Sequence, residues 1–387
     1  MDVPRHGPLR VAWYHQVVPH YRVPVINRLA ARPSIALTIA AGQEFSGVSH
    51  QDASGSLDAP VIKVRNLWGK RGNPKVTYSL GLARVLFGRP DIMIIGESAK
   101  NLVHWLCLSL RPFVGYRLVV IGHIQLSRRD EGLGSRLRRR LIRSADGVIA
   151  YGEAGAERAR AWGVTPTAVV AMGNAVDLER VVAARSTLGV EAVKALRRGL
   201  DLMGPVFLFI ARPTPWKRLD VAIETMRILA ARGVTAHMLV IGGGAGLPRY
   251  MAQAASLKSV HFLGSIIDER ALAPYFAVAD LVFIPGAVGL AVNHAFAYGL
   301  PLVTARDVPH GPEMAVARHD VNSVIVEACD ARLFAAELES IVRSPERLEA
   351  LQRGAESTSV PTLDRMVDNI EELLLRLANR GRVPSHP

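Results

Sequence analysis

The sequence is poor in cysteine and contains no long apolar run. Its two cysteines, Cys107 and Cys329, are too few for a disulfide framework and too far apart for a zinc knuckle. No run reaches the roughly 18 to 20 apolar residues of a membrane-spanning helix, because Arg111 and Arg117 interrupt the most apolar region. The first residues also lack the apolar segment of a secretory signal. We therefore expect a cytoplasmic protein without disulfides or spanning helices.

Acidic residues are scarce relative to basic ones. The chain has 34 Asp and Glu against 47 Lys and Arg, which gives a formal net charge of +13. Such a surface attracts polyanions, which include nucleic acids, anionic lipids and phosphorylated small molecules. With 387 residues, 49% of them hydrophobic, the chain can build two domains with a core each, and a disordered chain is excluded.

The positive charge concentrates in "SRRDEGLGSRLRRRLIR", residues 127–143, which contain seven arginines. In a helix, the spacing i, i+3, i+4, i+7 places four of them on one stripe, namely Arg136, Arg139, Arg140 and Arg143. The stripe is either a solvated helix face or a contact with the anionic inner leaflet of the cytoplasmic membrane, to which each arginine contributes about 1 kcal/mol. No recognised nucleic-acid-binding motif accompanies the charge, so we predict no nucleic-acid partner.

Short apolar runs alternate with helical patterns along the chain. One series extends from "LRVAWYH" to "TAVVAMGN", and a second from "PVFLFIAR" to "NSVIVE". Continuous apolar strands indicate parallel sheets that are covered on both faces. The sequence therefore predicts an α/β protein with two doubly wound, Rossmann-like domains, at residues 8–185 and 186–360, followed by a helix at 361–380.

Ligands of open α/β sheets bind beyond the carboxyl ends of the strands, so two facing domains would form a cleft there. In "FIARPTPWKRLDVAIE", Arg212 and Lys217 follow a strand and suit a diphosphate, since arginine can fork onto it and lysine adds a compact charge. Arg218 competes with Lys217 for this role. The alternative interpretation is a charged loop before a helix.

Two further loops contain glycines after a strand. Gly242–Gly244 form either a phosphate-binding turn or a plain tight turn, because the third glycine of a dinucleotide fingerprint is replaced by Leu247. In "FIPGAVGLAVNHAFAYGLPLV", Gly286 and Gly289 expose the backbone before a helix that carries His294. This histidine either faces a ligand or is structural.

The N-terminal half has its own polar strand ends. His20, Tyr21 and Arg22 follow the first strand, and His123 follows "VVIG". Histidines there can serve as an acid, a base or a hydroxyl ligand, although a satisfied buried histidine is the alternative. No serine nucleophile elbow, Walker loop or zinc motif is present in the sequence, so we predict no metal site.

Together these segments resemble the retaining glycosyltransferases of the GT-B fold, family 4, from the first strand to about residue 378. "IARPTPWKRLDVAIE" is similar to the family segment that clamps the diphosphate of a nucleotide sugar. "VHFLGSIIDERALAPYFAVADLVFIPG" resembles the segment that holds the nucleobase, and "YRVPVINRLA" resembles the acceptor-side helix. "ADGVIAYGEAGAERARAWGV" and "GNAVD" resemble the end of the N-terminal domain.

The resemblance implies a role for each candidate residue, and a final helix that crosses back to the N-terminal domain. The implied catalytic residues are His123, Arg212 and Lys217. The implied acceptor-binding residues are His20, Tyr21 and Arg22. The implied donor-binding residues are Arg212, Lys217, Gly243, Ile266, Gly286, Gly289, Leu290 and His294.

The chain departs from the common family signature, which has two glutamates separated by seven residues. Gly286 and His294 occupy these positions, as in a branch of bacterial surface-polysaccharide transferases. In the usual pattern the first glutamate contacts the donor sugar or its phosphate, and the second binds the ribose. We expect His294 to hydrogen-bond the ribose and Gly286 to offer its backbone.

The expected function is metal-independent transfer of a sugar, with retention, from a nucleotide-diphosphate sugar to a saccharide or lipid-linked saccharide. The nucleotide sugar is a co-substrate, and no cofactor is expected. Three alternatives remain: a sugar-nucleotide 2-epimerase-like enzyme, a transferase-like scaffold that has lost activity with its glutamates, and a polyanion-binding protein.

Overall fold

The computed structural model of the chain describes residues 7–43, 52–68, 77–124 and 132–379. The chain divides into two units, Met1–Asn174 with Thr362–Pro387, and Ala175–Pro361. Each has its own sheet and its own layers of helices. In the described ranges no helix has the length and apolar character needed to cross a bilayer.

In the described ranges, the first unit contains a sheet of eight strands in the order β4-β3-β2-β1-β5-β6-β7-β8. The strands are β1 (Leu9–His15), β2 (Ile35–Gly42), β3 (Val61–Trp68), β4 (Thr77–Leu80), β5 (Ile92–Gly96), β6 (Arg117–Gly122), β7 (Gly147–Ala150) and β8 (Val169–Ala171). All pairings are parallel except β3 with β4. In register, Val11 lies opposite Leu37 on one side and Ile92 on the other, so apolar side chains continue across the sheet.

Six helices of this unit lie in the part of the chain that the structure describes. They are α1 (Val23–Ala30), α2 (Leu82–Phe87), α3 (Leu102–Val114), α4 (Leu133–Arg143), α5 (Glu153–Ala161) and α14 (Leu363–Asn379). The chain order reverses between β1 and β5, which is the topological switch point of the sheet.

The second unit contains a parallel sheet of six strands in the order β11-β10-β9-β12-β13-β14. The strands are β9 (Val206–Ile210), β10 (His237–Ile241), β11 (Val260–Gly264), β12 (Leu281–Phe283), β13 (Leu302–Ala305) and β14 (Ser323–Val326). Its helices are α6 (Leu178–Ser186), α7 (Val190–Gly199), α8 (Leu219–Ala231), α9 (Leu247–Gln253), α10 (Glu269–Val278), α11 (Ala291–Ala297), α12 (Ala331–Val342) and α13 (Pro345–Glu356). The switch point lies between β9 and β12. The predicted pair of Rossmann-like α/β domains is confirmed.

The final helix, α14, packs on the first unit, as the sequence predicts. Its apolar stripe is fully buried, and the Asn369 amide donates to the carbonyl oxygens of Ala171 (3.2 Å) and Met172 (3.3 Å) at the end of β8. On its exposed side, Arg32 pairs with Asp368 at 2.6 Å. Each buried leucine or isoleucine contributes about 1.5–3 kcal/mol, whereas an exposed ion pair contributes about 1 kcal/mol or less, so the apolar stripe holds the helix.

Candidate functional site

The loops after β9 and β12 meet at the switch point of the second sheet. The amide of Gly286 donates to the Lys217 carbonyl oxygen at 3.2 Å, and the amide of Ala287 donates to the Trp216 carbonyl oxygen at 2.8 Å. These two hydrogen bonds fix the loops side by side at the carboxyl edge of the sheet, where a ligand is expected.

Gly286 is required by this contact. A Cβ atom at position 286 would lie only 2.6 Å from the carbonyl carbon of Lys217 and closer still to the Trp216 carbonyl oxygen. Both are backbone atoms, which cannot turn away as a flexible side chain can. The glycine is therefore explained by the approach of two chain segments, and a glutamate cannot occupy this position without moving one of them.

Lys217 lies half-buried between the two loops. Its ammonium donates to the carbonyl oxygen of Ala287. Burial lowers the pKa of Lys217, and the negative charge of Glu313 opposes that shift. The neighbouring Arg218 is instead paired with Asp220 at 3.2 Å. Of the two competing cations, Lys217 is therefore the one that lies within the loop pair.

A loop after β13 supports the one after β12, and sequence reasoning missed it. The amide of Val288 donates to Nδ1 of His310 at 3.1 Å, and the amide of Gly311 donates to the Val288 carbonyl oxygen at 2.7 Å. Because Nδ1 of His310 accepts, Nε2 carries the proton and donates to the carbonyl oxygen of Ala305 at 2.6 Å. Burial lowers the pKa of His310, which favours this neutral form.

Glu313 belongs to the same loop and brings a carboxylate to the site. The side chain is buried, with 7% of the residue exposed, and it lies against the backbone of Gly311. Its charge acts on Lys217. The signal in the sequence is "HGPE", a polar run soon after a strand, which has no distinctive spacing.

The glycine turn after β10, Gly242–Gly244, is a third loop, and it lies against the loop after β9. A Cβ atom at Gly242 would collide with the carbonyl of Ala211, and one at Gly243 would lie 3.1 Å from Cβ of Ser265. Gly244 lies next to the aliphatic part of Arg212, because a Cβ atom at Gly244 would lie 3.7 Å from Cγ of Arg212. The turn thus allows the loops after β9 and β11 to pack closely, and it places Arg212 at this edge.

His294, on α11, is held by a carboxylate from α10. Its Nε2 lies 2.9 Å from Oε1 of Glu269, and the Tyr298 hydroxyl donates to the same oxygen at 2.7 Å. Burial alone would raise the pKa of Glu269, but the hydrogen bonds and charge of these partners lower it overall. Glu269 is therefore ionised, and His294 donates through Nε2. The Phe276 ring packs on both aromatic partners, with centroids 4.5 Å from His294 and 4.2 Å from Tyr298.

The remaining predicted donor residues lie on the same edge of the sheet. Ile266 lies in the segment between β11 and α10 and is half-buried against the core. Gly289 and Leu290 directly precede α11. The donor-binding assignments of these residues and of His294 stay predictions.

In the first unit, His123 follows β6 and is anchored by Glu97, which sequence reasoning missed. The two oxygens of this carboxylate accept the amides of His123 and Ile124, each at 3.0 Å, and pair with Arg138 of α4 at 3.3 Å. The His123 ring lies edge-on to Tyr151, 4.5 Å between centroids. Glu97 is the residue before the last in the run "DIMIIGES", where the signal in the sequence is a carboxylate directly after a strand.

The predicted acceptor residues lie in a short 3-10 turn, His20–Arg22, after β1. His20 is exposed, and Tyr21 is 38% exposed. Arg22 is only 4% exposed. The turn thus combines two accessible rings with a buried cation, and its acceptor role stays a prediction.

The predicted basic stripe lies on the exposed side of α4. Arg136, Arg139, Arg140 and Arg143 are all exposed, as are Leu133 (73%) and Leu137 (37%). Arg138 turns inward to Glu97. Arg128 and Arg129 of the same basic segment lie outside the described residues.

Two family models match the chain. "Glycosyltransferase Family 4" matches residues 38–180, and "Glycosyl transferases group 1" matches residues 204–344. A D-inositol 3-phosphate glycosyltransferase of Thermobispora bispora is 30% identical over 179 residues, 43% of this chain and 41% of that protein. A D-inositol 3-phosphate glycosyltransferase of Segniliparus rotundus is 30% identical over 174 residues, 43% of this chain and 38% of that protein. The chain thus matches about two fifths of the length of these relatives.

Solved structures share the fold at low identity. Anabaena Alr3699/HepE in complex with UDP and glucose superposes with a TM-score of 0.69 at 17% identity, over 95% of this chain and 99% of that one. A putative UDP-N-acetylglucosamine 2-epimerase from Listeria monocytogenes superposes with a TM-score of 0.64 at 13% identity, over 98% and 99%. The chain therefore carries a glycosyltransferase family 4 domain and a glycosyl transferases group 1 domain, in the fold of the GT-B glycosyltransferases.

Proposed function

We propose that this chain is a glycosyltransferase that moves a sugar from a nucleotide-diphosphate sugar to a saccharide or lipid-linked saccharide acceptor. We further propose retention of configuration, no requirement for a metal, and a role in bacterial cell-surface polysaccharide synthesis. The observation that carries the proposal is Lys217, a partly buried ammonium held between two loops at the switch point, with Arg212 on the same edge.

In the proposed reaction, negative charge grows on the departing nucleoside diphosphate. Arg212 and Lys217 stabilise that charge in a site of low water content, where such stabilisation is strongest. The Lys217 ammonium bonds to a carbonyl oxygen of the neighbouring loop, and a diphosphate oxygen is a better partner because it is charged. The acceptor hydroxyl gives its proton to the leaving phosphate, so no carboxylate base is needed.

The other donor contacts follow from the same edge of the sheet. Gly243, Gly289 and Leu290 offer backbone to the phosphates and sugar, and Ile266 contacts the nucleobase. Gly286 serves the donor site through its loop, because its amide donates to the Lys217 carbonyl oxygen. His294 offers Nδ1 to a ribose hydroxyl while Nε2 stays on Glu269. His123 faces the transferred sugar, and its backbone is fixed by Glu97.

The proposed acceptor site comprises His20, Tyr21 and Arg22 in the first unit. The relatives from Thermobispora and Segniliparus are named for an inositol phosphate acceptor, which supports a polar acceptor here. A lipid-linked acceptor would place the protein at the inner face of the cytoplasmic membrane, with α4 towards the anionic leaflet.

A donor screen tests this function. In the presence of a true donor at 100-fold excess over its Kd, the native state gains about 2.7 kcal/mol, a rise in Tm of roughly 5 to 10 °C. We expect such a rise with one class of UDP-, GDP-, ADP- or dTDP-sugar, followed by transfer when acceptors are added. Conversion of the nucleotide sugar without any acceptor would instead support the 2-epimerase alternative. Binding without turnover on any acceptor would support the scaffold alternative.

Vesicle binding tests the role of α4. We expect the chain to sediment with vesicles that contain phosphatidylglycerol and to stay in solution with neutral ones. Changing Arg136, Arg139, Arg140 and Arg143 to Gln should weaken binding by about 1 kcal/mol per arginine. A control with four exposed arginines of the second unit changed to Gln (Arg249, Arg270, Arg332 and Arg353) should bind as the wild type. Equal loss in both variants would show that only total charge matters.

A further inference from the structure

Arg22 is a buried cation at the carboxyl edge of the first sheet. It follows β1, the strand at the switch point, and only 4% of the residue is exposed. The guanidinium lies between two tyrosine rings, with Cζ 4.5 Å from the Tyr151 centroid and 5.6 Å from that of Tyr21. Tyr21 is the exposed ring of the two, so it covers the guanidinium on the solvent side.

The charge of Arg22 has no counter-charge in the part of the chain that the structure describes. Among the described residues, the only hydrogen bond of the Arg22 side chain runs from Nη1 to the Asn174 side-chain oxygen, at a long 3.4 Å. Nη2 is buried, and no residue that the structure describes accepts a hydrogen bond from it. A buried guanidinium is costly unless it is paired and hydrogen-bonded, and neither a neutral amide nor a ring face replaces a full negative charge.

A second unpartnered polar atom lies in the same place. Nε2 of His15, at the end of β1, is buried and has no hydrogen-bond partner within the described ranges. Burial, together with the positive charge of Arg22, lowers the pKa of His15 to about 3. The imidazole is therefore neutral at physiological pH and can donate one hydrogen bond without adding charge.

We infer that Arg22 is the anchor for an anionic group, a phosphate or a carboxylate, of the acceptor substrate. The guanidinium fork matches the paired oxygens of either group, and ligands of open α/β sheets bind at this edge. His15 supplies a neutral hydrogen bond, and Tyr21 moves aside as the anion enters. The assignment of the anion to the acceptor substrate rests on the proposed function. The existence of an anion site at Arg22 does not rest on it.

The test uses the full chain and thermal unfolding at constant ionic strength, with inorganic phosphate, acetate or chloride as the probe. We expect phosphate or acetate to raise Tm to a saturating value, and chloride to have no such effect. Arg22→Gln should remove the effect, and Arg22→Lys should weaken binding about tenfold, because a lysine cannot fork. Arg84→Gln, an exposed arginine of α2 in the same unit, should behave as the wild type. Retention of the effect in Arg22→Gln would overturn the inference.

Asn174→Asp provides a second test of the anion site, which applies even if Arg22→Gln does not fold. The new carboxylate would lie against Nη1 and supply the missing counter-charge, so we expect a higher Tm without anion and no further rise with phosphate. A lower Tm without anion, or an unchanged response to phosphate, would show that the cation does not await a negative charge.

Repeating the phosphate measurement in saturating UDP distinguishes an acceptor site from the donor site. We expect phosphate to raise Tm equally with and without UDP. Loss of the phosphate effect in UDP would assign the anion to the donor and overturn the acceptor inference. An Arg22-dependent phosphate effect in a protein that binds no nucleotide sugar would reject the proposed function and leave the anion site standing.

Discussion

Replacing Lys217 by Met is expected to lower the rate of sugar transfer by about 100- to 1,000-fold, the usual effect of removing one preorganised group that stabilises developing charge. The reason is the position of the ammonium, which is partly buried between the loops after β9 and β12 and is therefore already partly dehydrated. Little of its hydration remains to be lost when a diphosphate arrives. We expect most of the loss in kcat, because the charge on the leaving group is largest in the transition state.

Arg218→Met is the matched control, since Arg218 is the next residue and its cation is paired with Asp220. An exposed pair of this kind contributes about 1 kcal/mol or less, so transfer should change no more than a few-fold. Steady-state kinetics with both variants, verified as folded by circular dichroism, measures the difference. Similar losses in the two variants would mean that the loop needs positive charge but no particular ammonium.

Removal of Lys217 also leaves Glu313 with less positive charge nearby. The carboxylate is buried beside the glycine loop, so part of the effect of Lys217→Met could arise from Glu313 rather than from lost contact with the donor. The double variant Lys217→Met with Glu313→Gln separates these effects. If transfer stays low while Tm recovers, the ammonium acts on the substrate and the carboxylate acts on the fold.

The sequence predicts the strands that are buried on both faces, and it misses β3 and β4. Strands such as β1 and β9 are continuous apolar runs, which only a covered parallel sheet explains. β3, "VIKVRNLW", alternates buried and exposed positions, and one of its buried residues is Asn66. That side chain hydrogen-bonds to the carbonyl oxygen of Gln16 at 2.6 Å and accepts from Ser79 at 2.6 Å. A buried polar residue with partners this distant in sequence gives no apolar pattern.

The candidate site shows the same limit. Residues just after strands, such as Arg212, Lys217 and Gly286, can be found from the sequence. Their partners cannot, because Glu313 and Glu269 come from other loops and carry no spacing signal. The sequence also cannot distinguish a glycine kept bare for a ligand from one kept bare for a neighbouring loop, and at Gly286 the neighbouring loop alone requires it.

The carboxylates of the candidate site therefore come from other positions in the chain than the two glutamates of the family signature. Glu313 brings negative charge to the loop that contains Gly286, and Glu269 brings it to His294. A glutamate at position 294 would place a second carboxylate at hydrogen-bond distance from Glu269. Two carboxylates that close repel each other, so both cannot be ionised at little cost. The histidine and Glu269 are thus a matched pair, and neither is a simple substitute for the family residue.

Restoring the first signature glutamate by Gly286→Glu is expected to destroy the site rather than improve it. The new Cβ would lie 2.6 Å from the Lys217 carbonyl carbon, so the loop that carries Lys217 must move. Forcing extra atoms into a packed region, so that backbone has to shift, costs about 1–3 kcal/mol. Gly286→Ala should show nearly the same destabilisation, because the collision involves Cβ and the carboxylate adds little to it.

Hydrogen exchange localises this effect. The amide of Ala287 donates to the Trp216 carbonyl oxygen at 2.8 Å, so peptides that span 284–298 should exchange faster in both Gly286 variants. Gly289→Ala is the control for stability, since its Cβ would meet only Glu313 at an ordinary 3.9 Å. We expect its Tm and exchange to match the wild type. A Gly286→Glu protein with wild-type exchange and undiminished donor binding would show that the two loops separate at little cost, and the close contact would then no longer explain the glycine.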